Sequence, residues 1–258
     1  MPGYPWISLT TDYGRSDGFV AACHGVIARS APAVRVIDVT HLIPAGDVVR
    51  GAAVLAQTVG YLPPAVHVAV VDPGVGTARR GIALRTPGGL LVGPDNGLLT
   101  WAATALGGVT EAVELTSSDW FPEVSRTFHG RDVFAPAAAR FALGAALTEA
   151  GPVIDPAGLV RLPEPVVERG DGWLAAEVLT VDHFGNVQLA APGSAWERLG
   201  PAVRVAGRTA VRGGTFGDAP PGHLVVYVDS ADRLAVAVNG GRAADVLGVG
   251  PGDVLRLE

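Results

Sequence analysis

Residues 66–80 read VHVAVVDPGVGTARR, an apolar run that contains one histidine, followed by Asp-Pro-Gly and then, after a short loop, by two arginines. An apolar run bounded by turn residues is typical of a strand that is buried inside an α/β sheet. Ligands of open α/β sheets bind outside the carboxyl ends of the strands. Asp72 and the arginines therefore fall where a functional site is expected, although Asp-Pro-Gly is also ordinary turn chemistry.

The first 150 residues alternate strand-like and helix-like segments, which favours an α/β domain with a mainly parallel sheet and helices on both faces. The predicted strands are 6–10, 34–39 and 66–71 with a hairpin of 82–84 and 90–92, and the predicted helices are 18–30, 47–62, 96–106 and 132–143. Asp17, Asp47 and Asp132 stand at helix starts, where a carboxylate can cap free backbone amides.

The pattern changes after residue 150. Residues 151–165 carry four prolines with little periodicity and predict a linker between an α/β catalytic domain, 1–150, and a second domain, 166–258. The second domain consists of short β-rich runs separated by turn residues, which predicts a smaller all-β barrel. Its predicted strands are 173–181, 186–190, 202–205, 223–228, 233–238 and 254–257.

Composition indicates an ordinary globular protein, with 258 residues of which 48% are hydrophobic and 17% charged. No apolar stretch approaches the roughly 20 residues that span a bilayer, and the N-terminus lacks a basic-then-apolar signal pattern. We therefore expect no membrane association. The single cysteine, Cys23, cannot form an internal disulfide, which favours a cytoplasmic location. Its apolar neighbours favour a buried hydrophobic role over a reactive thiol.

The charged residues exclude several classes of function. All 19 basic residues are arginine, so the chain has no lysine for a Schiff base, for pyridoxal phosphate or for a P-loop. The net charge of −6 argues against a nucleic-acid partner. The six histidines show no metal-binding spacing with one another or with cysteine, so no metal site is predicted.

Three further segments carry polar groups suited to ligand binding. Asp12 follows the first strand, where a carboxylate can accept hydrogen bonds from two ribose hydroxyls; the alternative is a helix cap. His129 precedes a helix and is either a structural histidine or an acid–base group. Residues 182–186 read DHFGN and combine a carboxylate, an aromatic face and an amide, which suits a flat base, although a plain β-turn has the same composition.

Taken in order, five motifs resemble the S-adenosyl-L-methionine hydroxide adenosyltransferase family, relatives of fluorinating and chlorinating enzymes. The motifs are TDYG at 11–14, VDPGVGT at 71–77, GPDNG at 93–97, FHGRD at 128–132 and DHFGN at 182–186. The resemblance covers essentially the whole chain. It implies an N-terminal α/β domain, a C-terminal β-barrel and a homotrimer with active sites between subunits.

The resemblance also implies an activity. By motif position Asp72, Arg79 and His129 activate water, and the spacing from Asp72 favours Arg79 over Arg80. Halogenating relatives carry tyrosine where Asp72 and His129 stand. The expected reaction is therefore hydrolysis of S-adenosyl-L-methionine to adenosine and L-methionine, with S-adenosyl-L-methionine as a small-molecule substrate and no cofactor. The alternatives are a halide-dependent 5′-halo-5′-deoxyadenosine synthase and a non-catalytic adenosine-ligand binding protein.

Substrate-binding residues are predicted in both domains. They are Asp12, Tyr13, Phe128, Asp182, Phe184, Asn186, Phe216 and Asn239. The second domain is expected to complete the adenine site, with Phe184 stacking on the base and Asn186 or the turn around Asn239 reading its edge. Under the trimer that the resemblance implies, the barrel of one subunit closes over the α/β domain of the next.

Overall fold

The strand predicted at residues 66–71 lies inside the N-terminal sheet of the computed structural model, which describes residues 3–200 and 203–258. The chain divides into two compact units, Met1–Leu162 and Pro163–Glu258. The strands of the first unit are β1 (Trp6–Thr11), β2 (Arg35–Thr40), β3 (Val66–Val70), β4 (Gly81–Thr86), β5 (Gly89–Pro94) and β6 (Glu111–Glu114). Its α-helices are α1 (Phe19–Ser30), α2 (Val48–Val59), α3 (Thr100–Ala105) and α4 (Ala135–Ala142).

The first sheet is mixed. Within the described residues its order is β2-β1-β3-β5-β4-β6, with parallel pairing from β2 through β5 and antiparallel pairing of β4 with β5 and β6. β4 and β5 form the predicted hairpin around Pro87 and Gly88. The α/β class is therefore confirmed. The parallel strands β1 and β3 end at the edge of the sheet where the polar loops lie.

Helices cover both faces of this sheet. Val66, Val68 and Val70 of β3 pack in a cluster with α1 and α4, whereas Ala69 packs in a second cluster with α2 and α3. All of β3 is buried, as expected for an inner strand with helices on both sides. Each fully buried valine-sized side chain contributes about 1.5–3 kcal/mol relative to an exposed one.

The parallel register places the polar loops together. Thr11, the last residue of β1, pairs with Val70, the last residue of β3. Asp12 and Asp72 follow these strands within two residues, so both carboxylates emerge at the same edge of the sheet.

Helix starts differ from the sequence predictions in two places. Asp47 caps α2 as predicted, since its carboxylate accepts the Arg50 amide at 2.9 Å. The expectation for Asp17 is wrong, because Gly18 occupies the N-cap position of α1 and no side chain caps it. Asp132 is not a cap either: it lies inside a π-helical turn, Gly130–Phe134, that leads into α4.

Most of the segment predicted as a linker, 151–165, belongs to the first unit, which extends to Leu162. The amide of Glu114 in β6 donates to the carbonyl of Pro152, and the amide of Ile154 donates to the carbonyl of Ala112. β6 is the edge strand of its sheet, so these bonds occupy backbone groups that would otherwise face solvent.

The second unit contains the predicted barrel. Its strands are β7 (Val167–Gly170), β8 (Trp173–Val181), β9 (Val187–Pro192), β10 (Val203–Val205), β11 (Arg208–Arg212), β12 (Leu224–Val228), β13 (Arg233–Val238) and β14 (Val254–Leu257). In the described part, seven strands form a closed barrel in the order β14-β10-β11-β12-β13-β9-β8. Pairing of β14 with β8 closes the barrel, and β7 pairs with β8 as an additional strand. Ala202, where a strand is predicted to begin, lies outside the described residues.

A short helix of the second unit, α5 (Ala243–Leu247), was not predicted because its sequence resembles a polar turn. Gly193–Arg198 forms a 3₁₀ segment between β9 and β10. Among the helices of the described residues, none combines the length and the hydropathy needed to cross a membrane.

Because Asp47 caps α2 and Asp17 caps no helix, removal of the two carboxylates should have different effects on stability. Asp47→Ala removes the acceptor of the Arg50 amide and should lower the free energy of unfolding by about 0.5–2 kcal/mol. Asp17→Ala is the matched control and should change it by less than about 0.5 kcal/mol, because no cap is lost. Urea denaturation of both variants measures this, and equal destabilisation by the two would contradict the assignment of the caps.

Candidate active site

A cavity of about 210 Å³ opens in the first unit where β1 and β3 end. Its lining comes from the loops after these strands, from the segment before α2 and from the start of the π-helical turn. The lining residues are Asp12, Tyr13, Gly46, Val70, Asp72, Pro73, Val75, Thr127, His129 and Gly130. Four residues singled out from the sequence, Asp12, Tyr13, Asp72 and His129, therefore share one cavity.

Two consecutive turns fold the loop after β3 back on itself. The carbonyl of Asp72 accepts the Val75 amide at 3.2 Å, and the carbonyl of Gly74 accepts both the amide and the hydroxyl of Thr77. The Thr77 hydroxyl then accepts the Arg79 amide at 3.3 Å. Arg79 is in this way returned to Asp72, seven residues earlier in the chain.

Glycine is required at two points of close approach. Gly76 has φ +78°, and a Cβ there would lie 2.3 Å from the carbonyl oxygen of Arg126. A Cβ on Gly130 would lie 2.0 Å from the hydroxyl oxygen of Tyr13. The Tyr13 hydroxyl thus occupies the space that any larger residue at 130 would need.

Asp72 and Arg79 form a two-pronged ion pair. Arg79 Nε donates to Asp72 Oδ1 at 3.1 Å and a terminal nitrogen donates to Oδ2, with only 6% of the Asp72 side chain and 8% of the Arg79 side chain exposed. Arg80 instead pairs with Asp95. The geometry therefore identifies Arg79 as the partner of Asp72.

His129 is held by the same guanidinium. The terminal nitrogen of Arg79 lies 2.9 Å from His129 Nδ1. Because a guanidinium has only donors, Nδ1 must accept, which leaves the proton of a neutral imidazole on Nε2. Burial lowers the pKa of His129, and the Arg79 cation lowers it further against the opposing effects of Asp72 and Asp132. His129 is therefore neutral near pH 7, with Nε2 as a donor.

The pKa of Asp72 is raised from its ordinary value. Burial is the largest cause, and Arg79 opposes it through charge and hydrogen bonding. The raised pKa makes the carboxylate a stronger base, and the ion pair with Arg79 favours its charged form. Such a group suits proton acceptance.

Tyr13 belongs to an aromatic cluster beside the cavity. Its ring meets Phe128 edge to face at a centroid distance of 5.6 Å, and Phe19 contacts both rings. Burial raises the pKa of Tyr13, so the phenol stays protonated and can donate. Phe128 packs behind Tyr13 and is not among the cavity-lining residues.

Asp12 has one carboxylate oxygen bound to the protein. Oδ2 accepts the Gly46 amide at 2.9 Å, which joins the loop after β1 to the segment before α2. The alternative role as a cap of α1 is excluded, since no side chain caps that helix.

The predicted residues of the second unit lie in its turns. The Asp182 carboxylate accepts the amides of Phe184 and Asn186 and the side-chain amide of Asn186, so both polar groups brace the DHFGN turn. Phe184 is 71% exposed. Phe216 is 44% exposed and meets Tyr227 edge to face. The side-chain amide of Asn239 donates to the carbonyl of Ala219.

Two cavity-lining residues, Gly46 and Thr127, are not predicted from the sequence. Gly46 has φ +75° and directly precedes the cap of α2, so turn chemistry marks the position without indicating a ligand. Thr127 carries no sequence signal beyond its place before the FHGRD motif.

The comparisons with known proteins agree with the two-unit fold. A family model described as SAM hydroxide adenosyltransferase N-terminal domain matches residues 7–151, and the corresponding C-terminal domain model matches residues 176–256. A crystal structure of an uncharacterized conserved protein from Thermotoga maritima is similar with a TM-score of 0.86 and 35% sequence identity, covering 97% of this chain and 99% of that one.

Two curated proteins bear on activity. The chain is 70% identical over 258 residues to the (R)-S-adenosyl-L-methionine hydrolase of Salinispora arenicola, covering 100% of this chain and 99% of that protein. It is 29% identical over 274 residues to a fluorinase of an Actinoplanes species, covering 92% of each. The hydrolase is thus far more similar than the fluorinase.

The site geometry predicts how His129 responds to its neighbour. Arg79→Met removes the adjacent cation and should raise the pKa of His129, because protonation no longer brings two positive charges together. Arg80→Met, whose partner is Asp95, should leave it unchanged. An NMR titration of the His129 ring protons measures the shift, and an unchanged pKa in Arg79→Met would refute the electrostatic link.

Proposed function

Since the chain belongs to the SAM hydroxide adenosyltransferase family, we propose that it hydrolyses S-adenosyl-L-methionine to adenosine and L-methionine. The name of its relative in Salinispora arenicola specifies the (R) form, and we propose the same configuration at sulfur for this substrate. The observation that carries the proposal is the buried Asp72–Arg79–His129 set beside a cavity, in a chain so similar to that hydrolase.

The departure of methionine needs little catalytic assistance from the protein. Water attacks C5′ of the ribose, the C5′–S bond breaks, and its electron pair neutralises the sulfonium as methionine departs. The overall balance is sulfonium cation plus water giving adenosine, methionine and one proton. No acid has to protonate the leaving group and no cofactor has to activate it. The protein must instead position the water and remove its proton.

We assign proton removal to Asp72. As the C5′–O bond forms, the attacking oxygen becomes positively charged and strongly acidic, so a carboxylate is basic enough to accept its proton. General-base assistance of this kind contributes about 10²–10⁴-fold. Asp72 lines the cavity, and each of its oxygens can accept a second hydrogen bond beside that from Arg79.

Arg79 orients the Asp72 carboxylate, and His129 orients the attacking water. Arg79 fixes the plane of the Asp72 carboxylate, and Asp72 cancels its charge, so the three side chains present no net cation to the sulfonium. His129 donates from Nε2, which suits it to hold the water oxygen while Asp72 takes the proton. Exclusion of bulk solvent and alignment with C5′ and sulfur supply the remaining rate enhancement.

Substrate binding is assigned first to the cavity. Oδ1 of Asp12 is available for the ribose hydroxyls, while Gly46 fixes the other oxygen. The neutral phenol of Tyr13 can donate to the substrate, with Phe128 supporting its ring.

The second unit is assigned to another copy's site. We propose a homotrimer in which the barrel of one subunit supplies Phe184, Phe216 and the turns braced by Asp182 and Asn239. The exposure of Phe184 supports a role in binding an aromatic base. A cytoplasmic location completes the proposal and rests on the single cysteine, Cys23, which is buried and unpaired in the described structure.

Product analysis tests the reaction. The protein should convert (R)-S-adenosyl-L-methionine to adenosine and L-methionine, at a rate that added chloride does not change, as measured by liquid chromatography. Appearance of 5′-chloro-5′-deoxyadenosine would replace the proposal with halide-dependent chemistry. Stoichiometric binding without product would replace it with an adenosine-ligand binding protein.

The role of Asp72 predicts a separation of turnover from affinity. Asp72→Asn keeps the shape of the side chain but cannot take a proton, so kcat should fall by about 10²–10⁴-fold while the substrate dissociation constant is retained. Asp17→Asn, which alters an exposed carboxylate outside the cavity, should leave both values unchanged. Parallel losses of affinity and turnover in Asp72→Asn would make Asp72 a ligand-positioning residue.

The trimer predicts complementation between inactive subunits. Asp72→Asn disables the first unit and Phe184→Ala disables the second, so mixed trimers should contain some sites whose two halves are both wild type. Activity should therefore return after subunit exchange, verified by native mass spectrometry. Exchanged trimers that stay inactive would place both halves of the site within one chain.

A further inference from the structure

Three potential metal ligands converge outside the active-site cavity: His24 from α1, Asp38 from β2 and His41 from the segment after β2. We propose that these residues form a binding site for a divalent transition-metal ion of the zinc class. None of the three lines the cavity that contains Asp72. The proposal is therefore independent of the hydrolytic function.

The distances suit a shared ion. His24 Nε2 lies 2.8 Å and His41 Nε2 lies 3.0 Å from the same oxygen, Asp38 Oδ1. All three ligand atoms lie within 4.8 Å of one another. Two ligands of a tetrahedral zinc ion are roughly 3.3–3.6 Å apart, given metal–ligand distances of about 2.0–2.2 Å. Small side-chain rotations would therefore bring the three atoms around one ion.

His41 supplies the second observation. Its side chain is only 3% exposed, and within the described residues its Nε2 has no hydrogen-bond partner, although Asp38 Oδ1 is 3.0 Å away. His41 Nε2 and Asp38 Oδ1 are therefore as close as the atoms of an ion pair, but the ring is not oriented for a hydrogen bond between them. A buried nitrogen left in this way loses its hydration without replacement, and a cation at the cluster would satisfy it.

The other ring nitrogen of His41 is already anchored. Nδ1 lies 2.9 Å from the Thr11 hydroxyl oxygen, which also accepts the Tyr13 amide. When Nδ1 donates its proton to this oxygen, the lone pair of Nε2 points at the cluster. Metal-binding histidines are commonly oriented by such a second hydrogen bond.

The donor set and its exposure indicate the class of ion. Two imidazoles and one carboxylate favour zinc or a neighbouring transition metal, whereas magnesium and calcium prefer oxygen ligands throughout. The side chains of His24 and Asp38 are 36% and 39% exposed, so an ion can enter from solvent and keep water as a further ligand.

Bound metal would connect α1 to β2 and, through His41 and Thr11, to the loop that carries Tyr13. The sequence predicted no metal site, because its histidines lack recognised spacing. The three ligands are brought together by the packing of α1 beside β2. This tertiary contact cannot be read from the spacing of the histidines in the sequence.

Zinc titration of the full-length protein, purified without a histidine tag and treated with chelator, tests the site. Calorimetry should show one saturable Zn²⁺ per chain, with affinity falling by about tenfold or more in His24→Ala and in Asp38→Asn. His223→Ala, which alters an exposed histidine of the second unit, is the control and should bind as the wild type does. Circular dichroism verifies that the variants are folded.

Cobalt provides a second readout, because Co²⁺ bound by imidazole and carboxylate develops ligand-field absorption that His24→Ala should abolish. Saturable zinc binding that is weakened by about tenfold or more in both ligand variants and kept in His223→Ala supports the proposal. Absence of saturable binding to the wild type, or equal affinity in the wild type and both ligand variants, overturns it.

Discussion

The guanidinium of Arg79 is the constraint on which the candidate site depends. It binds both oxygens of Asp72 and Nδ1 of His129, and so sets the charge of one neighbour and the tautomer of the other. A buried carboxylate without this partner would be costly to ionise, and a histidine without it could carry its proton on either nitrogen. One side chain thus prepares an ionised acceptor and a neutral donor next to the same cavity.

The fold makes that arrangement possible. Parallel pairing of β1 with β3 brings Asp12 and Asp72 to one edge, and the two turns at Asp72–Thr77 return Arg79 to its partner. His129 is supplied by a different segment of the chain, since it immediately precedes the π-helical turn before α4. The catalytic proposal therefore rests on contacts between segments that lie about 50 residues apart in sequence.

Sequence alone could predict much of this, and its failures have physical reasons. The buried run at β3, the cap at Asp47 and the motifs of the site follow local rules, so they were predictable. Asp132 was misjudged because its carboxylate accepts the Ser125 amide and pairs with Arg131, neither of which helix-start patterns reveal. Spacing from Asp72 favours Arg79 over Arg80, and the ion pairs Arg79–Asp72 and Arg80–Asp95 agree with that preference. His24, in contrast, meets Asp38 only through packing of a helix on a strand, which no local pattern predicts.

Arg79 holds His129 as a neutral imidazole protonated on Nε2, and the rest of the candidate mechanism depends on this state. Long-range proton–nitrogen NMR of the ¹⁵N-labelled protein near pH 7 measures the state of both ring nitrogens directly. The Arg79 contact predicts an unprotonated Nδ1 and a protonated Nε2 for His129. A proton on Nδ1, whether in the other tautomer or in the imidazolium, would contradict it.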